Sequence, residues 1–327
     1  MKTLLKDEGP SKNTRPPQSA RHPYRLLIAA LLFFGGMLSP SFPQAQEGLD
    51  RINARVKPAP YRRIISLAPS ITEILYALSL GERVAGVTRH CDYPPAAIAK
   101  PKIGTYIDIS VETILSLKPD LVIATADGND KRSVERLVQL GIPVLVIHPR
   151  NLPEVFETIL QIGRVTRTEA QAQILVRSLR ARADRIIRAC APLPRPRVFL
   201  QINDQPLITV GQPTFHHHLI TLAGGVNISG PETIAYPKYS LEQVLRVRPE
   251  VILITTMERG ANAERKKDFW KSWDRIPAVA AGRIYLLNSD FLDRSGPRLV
   301  DGLEALAWAL HPELKNPSPP PFPKGRI

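Results

Sequence analysis

The chain lacks the motifs of the common nucleotide-binding and hydrolytic enzymes. It contains no G-x-x-x-x-G-K-[ST] and no G-x-S-x-G pattern, and Gly224-Gly225 lacks the spacing of a G-x-G-x-x-G turn. No carboxylate–histidine cluster has the spacing of a metal site. A protein that is not an enzyme and has no catalytic cofactor is therefore expected. An α/β enzyme remains the less favoured alternative.

Cysteine is scarce as well, with only Cys91 and Cys190 in 327 residues. An oxidising compartment permits a disulfide between them, but their separation along the chain does not establish the pairing. No cysteine directly follows the apolar segment at residues 26–38, where a lipoprotein anchor would need one. A lipoprotein anchor is therefore not expected. The pairing of the two thiols stays open.

The formal net charge is +14, yet no basic run alternates with aromatic residues and no nucleic-acid-binding motif is present. Arginines instead recur along one predicted helix, at Arg177, Arg180, Arg182, Arg185 and Arg188. This pattern indicates a solvated basic surface, because net charge bears on solubility rather than on fold. A nucleic-acid partner is not expected.

The N-terminus carries basic residues from Lys2 to Arg25 and then an apolar stretch, LLIAALLFFGGML. The stretch is short for a membrane span, which needs about 20 residues, and the pattern is typical of a secretory signal. We predict a signal peptide with its basic n-region at residues 1–45, cleaved after Ser41 or Ala45, and therefore a periplasmic protein. An uncleaved signal anchor is the alternative.

Short apolar segments alternate with helical patterns through the rest of the chain, which predicts mainly parallel sheets covered by helices. The first lobe has strands at 64–67, 84–87, 121–124 and 144–147, with Gly81 stopping its first helix. A long helix is predicted from the capping-box pattern Thr166–Glu169 to about Ala189. The predicted segments are a lead-in at 46–61, lobes at 62–152 and 195–311, connecting helices at 153–194, and a disordered Pro-rich tail at 312–327.

The sequence contains an internal repeat: residues 110–123, SVETILSLKPDLVI, match residues 240–253, SLEQVLRVRPEVIL, in residue type. Each segment predicts a Ser N-cap, a helix with Glu in its first turn, and a turn into a buried strand. Glu112 and Glu242 suit the positive end of a helix dipole. Alternatively, two equivalent lobes present them as a pair of docking carboxylates for a two-fold symmetric partner with basic pockets.

The run RRIISLAPSITEILYALSLGERVAGVT, followed by CDYPPAA, KPKIGTY and the repeat, resembles the periplasmic binding proteins of vitamin B12 importers. The wider group also binds haem and iron–siderophore complexes. The resemblance covers Arg62 to Trp308. It implies a class III periplasmic-binding-protein-like α/β fold with two similar lobes joined by one long backbone helix. It also implies a monomer that delivers cobalamin or cobinamide to an ABC transporter permease dimer in the inner membrane.

The resemblance also supplies residue roles. Glu112 and Glu242 match the family's glutamates that dock on permease arginines. The matched ligand-binding positions are His90, Tyr106, Thr125, Tyr236, Asp290, Phe291 and Arg294. Tyr106, Thr125 and Tyr236 stand where the family has tryptophans, and tyrosine faces suit a flat macrocycle.

The remaining matched positions allow more than one role. His90 replaces an aromatic residue and is a candidate cobalt ligand or a hydrogen-bonding residue. Asp290 and Arg294 either bind ligand amides or phosphate, or form a salt bridge with each other, and Phe291 lines the pocket. A basic cleft formed by Arg89, Lys238 and Arg294 would instead favour haem or a siderophore.

Three consecutive histidines, His216, His217 and His218, point about 100° apart on a helix and cannot converge on one ion without partners elsewhere. We expect them at the surface, at the start of a helix.

Overall fold

The computed structural model describes residues 42–256 and 261–314. The chain divides into two units, residues 1–46 and 47–327. Most of the predicted signal peptide, including the apolar stretch, and the tail from residue 315 onward lie outside the described residues. No helix within the described ranges is long and apolar enough to cross a membrane.

The first lobe is a four-stranded sheet in the order β2-β1-β3-β4, with every neighbouring pair parallel. Both faces are covered, and every residue of β1, β3 and β4 is buried. After helix α1 (Phe42–Asn53), the elements are β1 (Ile64–Ser66), α2 (Pro69–Ala77), β2 (Val84–Val87), α3 (Val111–Ser116), β3 (Leu121–Thr125), α4 (Lys131–Gln139) and β4 (Val144–Ile147). The predicted strands are confirmed to within one residue.

The second lobe repeats this construction, with a parallel sheet in the order β10-β9-β5-β8. Read from β8, the order is the same as in the first lobe. The elements are β5 (Arg197–Gln201), the hairpin β6 (Asn203–Asp204) and β7 (Leu207–Ile208), α7 (Phe215–Leu222), β8 (Val226–Asn227), α8 (Leu241–Val247), β9 (Val251–Thr256), α9 (Ala261–Lys271), α10 (Pro277–Ala280), β10 (Ile284–Asn288), α11 (Ser289–Leu292) and α12 (Leu299–Leu310). The predicted two-lobed α/β fold is confirmed.

Two helices connect the lobes, α5 (Leu152–Thr166) and the 22-residue α6 (Glu169–Cys190). The predicted capping box is wrong: Thr166 belongs to the end of α5, where its hydroxyl donates to the Ile162 carbonyl over 2.7 Å. Arg167 takes a left-handed φ of 57° and separates the two helices. Thr168 is the N-cap residue of α6 but makes no side-chain cap bond, because its hydroxyl pairs with that of Thr166.

The end of the first helix also differs from the sequence prediction. Gly81 was expected to stop it, whereas α2 ends at Ala77 and Ser79 adopts a left-handed φ of 60°. Gly81 instead begins a short 3-10 turn, and a side chain there would collide with the Tyr76 ring. The chain therefore reverses before the glycine is reached.

The internal repeat extends to backbone geometry. Ser110 caps α3 by accepting from the Thr113 amide, and Ser240 caps α8 by accepting from the Gln243 amide. The basic residue that precedes the proline in each repeat adopts a left-handed φ, 47° at Lys118. The corresponding φ is 45° at Arg248.

An arginine at the start of the first strand of each lobe links that strand to the repeated helix by a hydrogen bond. Arg63 donates from Nη2 to the Leu117 carbonyl, and Arg197 donates from Nη2 to the Val247 carbonyl, both over 2.5 Å. Cationic donors at the carboxyl end of a helix satisfy carbonyls that have no partner within the helix. The two copies thus share one way of fixing the helix to its sheet.

The largest hydrophobic cluster is continuous across both lobes and the connecting helices, joining for example Ile71, Ile159, Val176, Leu253 and Leu303. A smaller cluster covers the other face of each sheet. In the second lobe that outer cluster contains the fully buried Trp270, whose Nε1 donates to Gln201 over 2.7 Å. Burying a large apolar side chain contributes about 1.5–3 kcal/mol, so this shared core holds the lobes together.

The predicted lead-in contains part of helix α1. Leu49 and Ile52 pack against the outer cluster of the first lobe. The Asn53 amide group donates to the Val146 carbonyl and accepts from the Val146 amide, over 2.9 and 2.8 Å. Because β4 is an edge strand, these bonds satisfy backbone groups that would otherwise invite another strand.

Both cysteines are buried and free. The sulfur of Cys91 lies 3.1 Å from the hydroxyls of Thr72 and Thr88. Cys190 ends α6, where burial raises the pKa of its thiol. The disulfide that the sequence left open is not formed.

Candidate functional site

Ligands of open α/β sheets bind beyond the carboxyl ends of the strands. In the first lobe Thr125 ends β3, while Asp127 and His148 directly follow β3 and β4. In the second lobe Tyr236 precedes α8 and Asp293 follows α11. We call the surface formed by Tyr106, Thr125, Asp127, His148, His216, Tyr236 and Asp293 the inter-lobe cleft.

The first lobe presents Tyr106 to this cleft. Its ring lies directly over Gly128, where an added Cβ would fall 1.8 Å from the ring. Burial and the nearby charge of Asp127 raise the pKa of Tyr106 to about 12, although a hydrogen bond with Thr125 acts in the opposite direction. The phenol therefore stays protonated near neutral pH. Thr125 is buried and supports Tyr106 through this hydrogen bond.

Asn129 fixes the loop that carries these residues. Its amide nitrogen donates to the carbonyls of Leu67 and Tyr106 over 2.9 and 2.8 Å. Its oxygen accepts from the Thr125 amide over 2.8 Å. The role of Asn129 could not be predicted from the sequence, because all three partners are backbone groups that only the folded chain brings together.

The second lobe presents Tyr236, whose ring meets His216 edge-on with centroids 6.4 Å apart. Burial, followed by the charges of Asp127 and Asp293, raises the pKa of Tyr236. The charge of Asp127, in the first lobe, thus acts on a tyrosine of each lobe.

The expectation that the three histidines lie at the surface is wrong for His216. It is buried, stacks on Phe215 at 4.1 Å, and its Nε2 lies 2.8 Å from Asp293 Oδ1. The expected helix start is confirmed, since Thr214 caps α7. The three rings share no partner within residues 42–256 and 261–314: His217 faces Asn227, and the Nδ1 of His218 is buried without a hydrogen bond there.

A second histidine–aspartate pair lies in the first lobe. The Nε2 of His148 is 2.8 Å from Oδ1 of Asp127. This hydrogen bond raises the pKa of His148, although burial and Arg150 oppose the shift. Neither residue was assigned a role from the sequence. Their positions after adjacent parallel strands were the available signal.

Most charged side chains of the second-lobe segment 288–298 form ion pairs. Arg294 bonds Asp290 from Nη2 over 2.7 Å, which matches the salt-bridge alternative of the sequence analysis. From Nη1 it also reaches Asp92 over 2.8 Å and Glu73 over 3.2 Å, both in the first lobe. Burial alone would lower the pKa of Arg294. The three carboxylates raise it by more than burial lowers it, so the net shift is upward.

Arg298 completes this inter-lobe ion cluster. It donates from Nε and Nη2 to the two oxygens of Glu73 over 2.9 and 2.6 Å. Its guanidinium lies 4.1 Å from the centroid of the Tyr93 ring and 5.4 Å from that of Phe291. Phe291 is itself buried beneath it, so this ring supports the cluster.

His90 is exposed, on the loop that follows β2. Among the described residues no group of three His, Cys, Asp or Glu side chains is arranged to hold a metal ion.

Glu112 and Glu242 are exposed in the first turns of α3 and α8. The Ser110 hydroxyl donates to Glu112 over 3.4 Å, and a hydrogen bond from Ser240 lowers the pKa of Glu242. Neither carboxylate forms an ion pair with a described residue. Both are therefore accessible to a partner.

The family model for periplasmic binding proteins matches residues 64–291. A vitamin B12-binding protein of Vibrio cholerae is 35% identical over 255 residues, which cover 78% of this chain and 91% of that protein. A vitamin B12-binding protein of Pectobacterium atrosepticum is 33% identical over 246 residues, covering 73% of this chain and 85% of that protein.

Solved structures agree with the fold. The periplasmic vitamin B12 binding protein of Vibrio cholerae has a TM-score of 0.70 at 32% identity and covers 79% of this chain and 99% of its own. A periplasmic heme-binding protein from Roseiflexus has a TM-score of 0.70 at 25% identity and covers 77% and 98%.

Proposed function

Because the chain belongs to the periplasmic binding protein family, we propose that it captures a corrinoid, cobalamin or cobinamide, between its lobes and catalyses no reaction. The relatives named for vitamin B12 binding support this ligand class. Tyr106 and Tyr236 offer neutral aromatic groups from opposite lobes, as a flat macrocycle requires. Thr125 contributes by supporting Tyr106.

The pairing of Arg294 is the observation that carries the choice of ligand. The haem and siderophore alternative expects a basic cleft, since those ligands bear carboxylates or other anionic groups. Arg294 is instead surrounded by three carboxylates. The proposed partners of Arg294 and Asp290 are therefore amide groups at the edge of the ligand, where a paired ion still offers hydrogen bonds.

Arg89 and Lys238 are both exposed and neither forms an ion pair among the described residues, so the haem or siderophore alternative depends on these two cations. Phe291 acts indirectly by holding Arg298. His90 is retained as the candidate cobalt ligand, and its exposed loop position leaves the imidazole free to approach a bound corrinoid.

Delivery is proposed to use Glu112 and Glu242, which dock on an ABC transporter permease dimer of the inner membrane. Their equivalent positions in two lobes of the same construction suit a two-fold symmetric partner. The protein is proposed to act as a periplasmic monomer. Closure around the ligand is expected to be modest, because both α5 and α6 connect the lobes and share their core.

Titration of the purified protein with cyanocobalamin, dicyanocobinamide, haemin and a ferric hydroxamate tests the ligand. Calorimetry should give one-to-one binding of the corrinoids and much weaker binding of the other two. A change in the visible spectrum that disappears in His90→Ala would support cobalt coordination. Binding of haemin or the hydroxamate alone would replace the corrinoid proposal with the alternative.

A further inference from the structure

The inter-lobe cleft contains two exposed carboxylates, although the chain as a whole is basic. The formal net charge is +14, yet Asp127 and Asp293 are 51% and 40% exposed in the cleft. Within residues 42–256 and 261–314, neither forms an ion pair with a lysine or arginine. The partner of each is a histidine.

The two pairs have the same geometry in opposite lobes. His148 Nε2 lies 2.8 Å from Asp127 Oδ1, and His216 Nε2 lies 2.8 Å from Asp293 Oδ1. In both pairs Oδ1 is the bonded oxygen, and Oδ2 has no hydrogen-bond partner among the described residues. Each histidine therefore orients a carboxylate and leaves one oxygen available.

Tyr236 lies beside the second pair, and the charge of the first pair's aspartate also reaches it. Its ring meets His216 at 6.4 Å, and the charges of both aspartates act on its hydroxyl. A macrocycle that contacts this phenol consequently has a carboxylate near its edge on each lobe. The cations of the neighbouring ion cluster do not offset them, because Arg294 and Arg298 are bound by Glu73, Asp92 and Asp290.

A carboxylate only accepts hydrogen bonds, so it pairs with the N–H groups of a carboxamide and repels another carboxylate. We propose that Asp127 and Asp293 are specificity-determining residues that select amide-bearing corrinoids and reject carboxylate-bearing tetrapyrroles. This selection rests on the proposed corrinoid function and explains discrimination between two ligand classes of similar shape. Rejection of the wrong ligand by like charge is a recognised source of specificity.

The test compares two corrinoids that share one macrocycle: dicyanocobinamide, whose side arms are carboxamides, and dicyanocobyrinic acid, whose side arms are carboxylates. Affinities are measured at low ionic strength for the wild type, Asp127→Asn, Asp293→Asn and the double variant. Asp127→Glu keeps the charge. Asp184→Asn removes an exposed carboxylate from α6, outside the cleft, and is the matched control.

The wild type should bind dicyanocobinamide at least about tenfold more tightly than the carboxylate form. In the double Asn variant this ratio should fall about tenfold, chiefly because the carboxylate corrinoid binds better, which misfolding cannot produce. The Glu variant and the control should keep the wild-type ratio.

An unchanged ratio in both single variants and in the double variant, each with a wild-type melting temperature, would overturn the selection. Normal dicyanocobinamide binding would leave the corrinoid function standing in that case. Failure of the wild type to bind either corrinoid would overturn the proposed function itself, and the selection with it.

Discussion

Glu73 of the first lobe and Arg298 of the second form a buried two-point ion pair, joined by bonds of 2.9 and 2.6 Å. The Glu73 side chain is 2% exposed, and Arg294 also contacts it. Charged groups taken out of water need partners of this kind, because an unpaired buried charge is costly. The pair therefore fixes one contact between the lobes.

Glu73→Gln should lower the free energy of unfolding by about 3–5 kcal/mol, because it leaves the buried Arg298 without its carboxylate and removes one of the three that bond Arg294. Urea unfolding followed by circular dichroism measures the change. Glu82→Gln, on an exposed turn of the same lobe, is the control. A loss below about 1 kcal/mol would mean that the pair is solvated like a surface salt bridge.

Simultaneous replacement of Glu112 and Glu242 by alanine should reduce corrinoid uptake at least about tenfold, because two charge contacts with the permease are lost together. Corrinoid affinity of the purified protein should not change. Glu169→Ala is a matched control, since Glu169 is also an exposed first-turn acid, on α6. If affinity fell with uptake, the docking role would be wrong.

Asn129→Asp should destabilise the protein and weaken ligand binding. The substitution replaces the donor that serves the Leu67 and Tyr106 carbonyls with an acceptor, at about 1–3 kcal/mol for each buried carbonyl left unpaired. Urea unfolding and corrinoid titration measure both effects. Asn203→Asp in the β6–β7 hairpin should change neither much, and equal effects at both sites would contradict the role given to Asn129.

The pair of His148 with Asp127 should make stability depend on pH. The raised pKa of His148 means that the folded state favours the protonated ring. Burial and Arg150 disfavour the protonated ring, but by less than Asp127 favours it. The stabilisation is complete below the unfolded pKa of about 6.5 and disappears as the pH rises through the folded pKa.

The free energy difference between the wild type and His148→Gln should therefore be larger at about pH 5.5 than at about pH 8.5. Urea titrations at several pH values measure it. A difference that grew with pH would reverse the assigned sign.

The sequence predicted the strands and the repeat well, because strand burial, the caps at Ser110 and Ser240, and the turns before the prolines are local properties. It predicted the end of α2 poorly, because Ser79 takes a left-handed conformation that favours glycine. Local patterns of this kind establish which helices and strands form. The order of these elements along the chain then indicates the architecture.

The candidate site was predicted less completely. Tyr106 and Tyr236 both belong to the inter-lobe cleft, one from each lobe, but Asn129 and the two histidine–aspartate pairs were missed. Glu73 and Arg298 are 225 residues apart, and no periodicity connects residues at that separation. Pairing of this kind depends on how the lobes pack, which charge type and spacing alone do not specify.

The continuous core that α5 and α6 share with both lobes has a consequence for unfolding. Two domains with separate interiors can melt one after the other, whereas here neither sheet can lose its inner face without exposing the connecting helices and the other lobe. The two lobes should therefore unfold in a single cooperative heat-absorption peak, with a calorimetric enthalpy equal to the van't Hoff value.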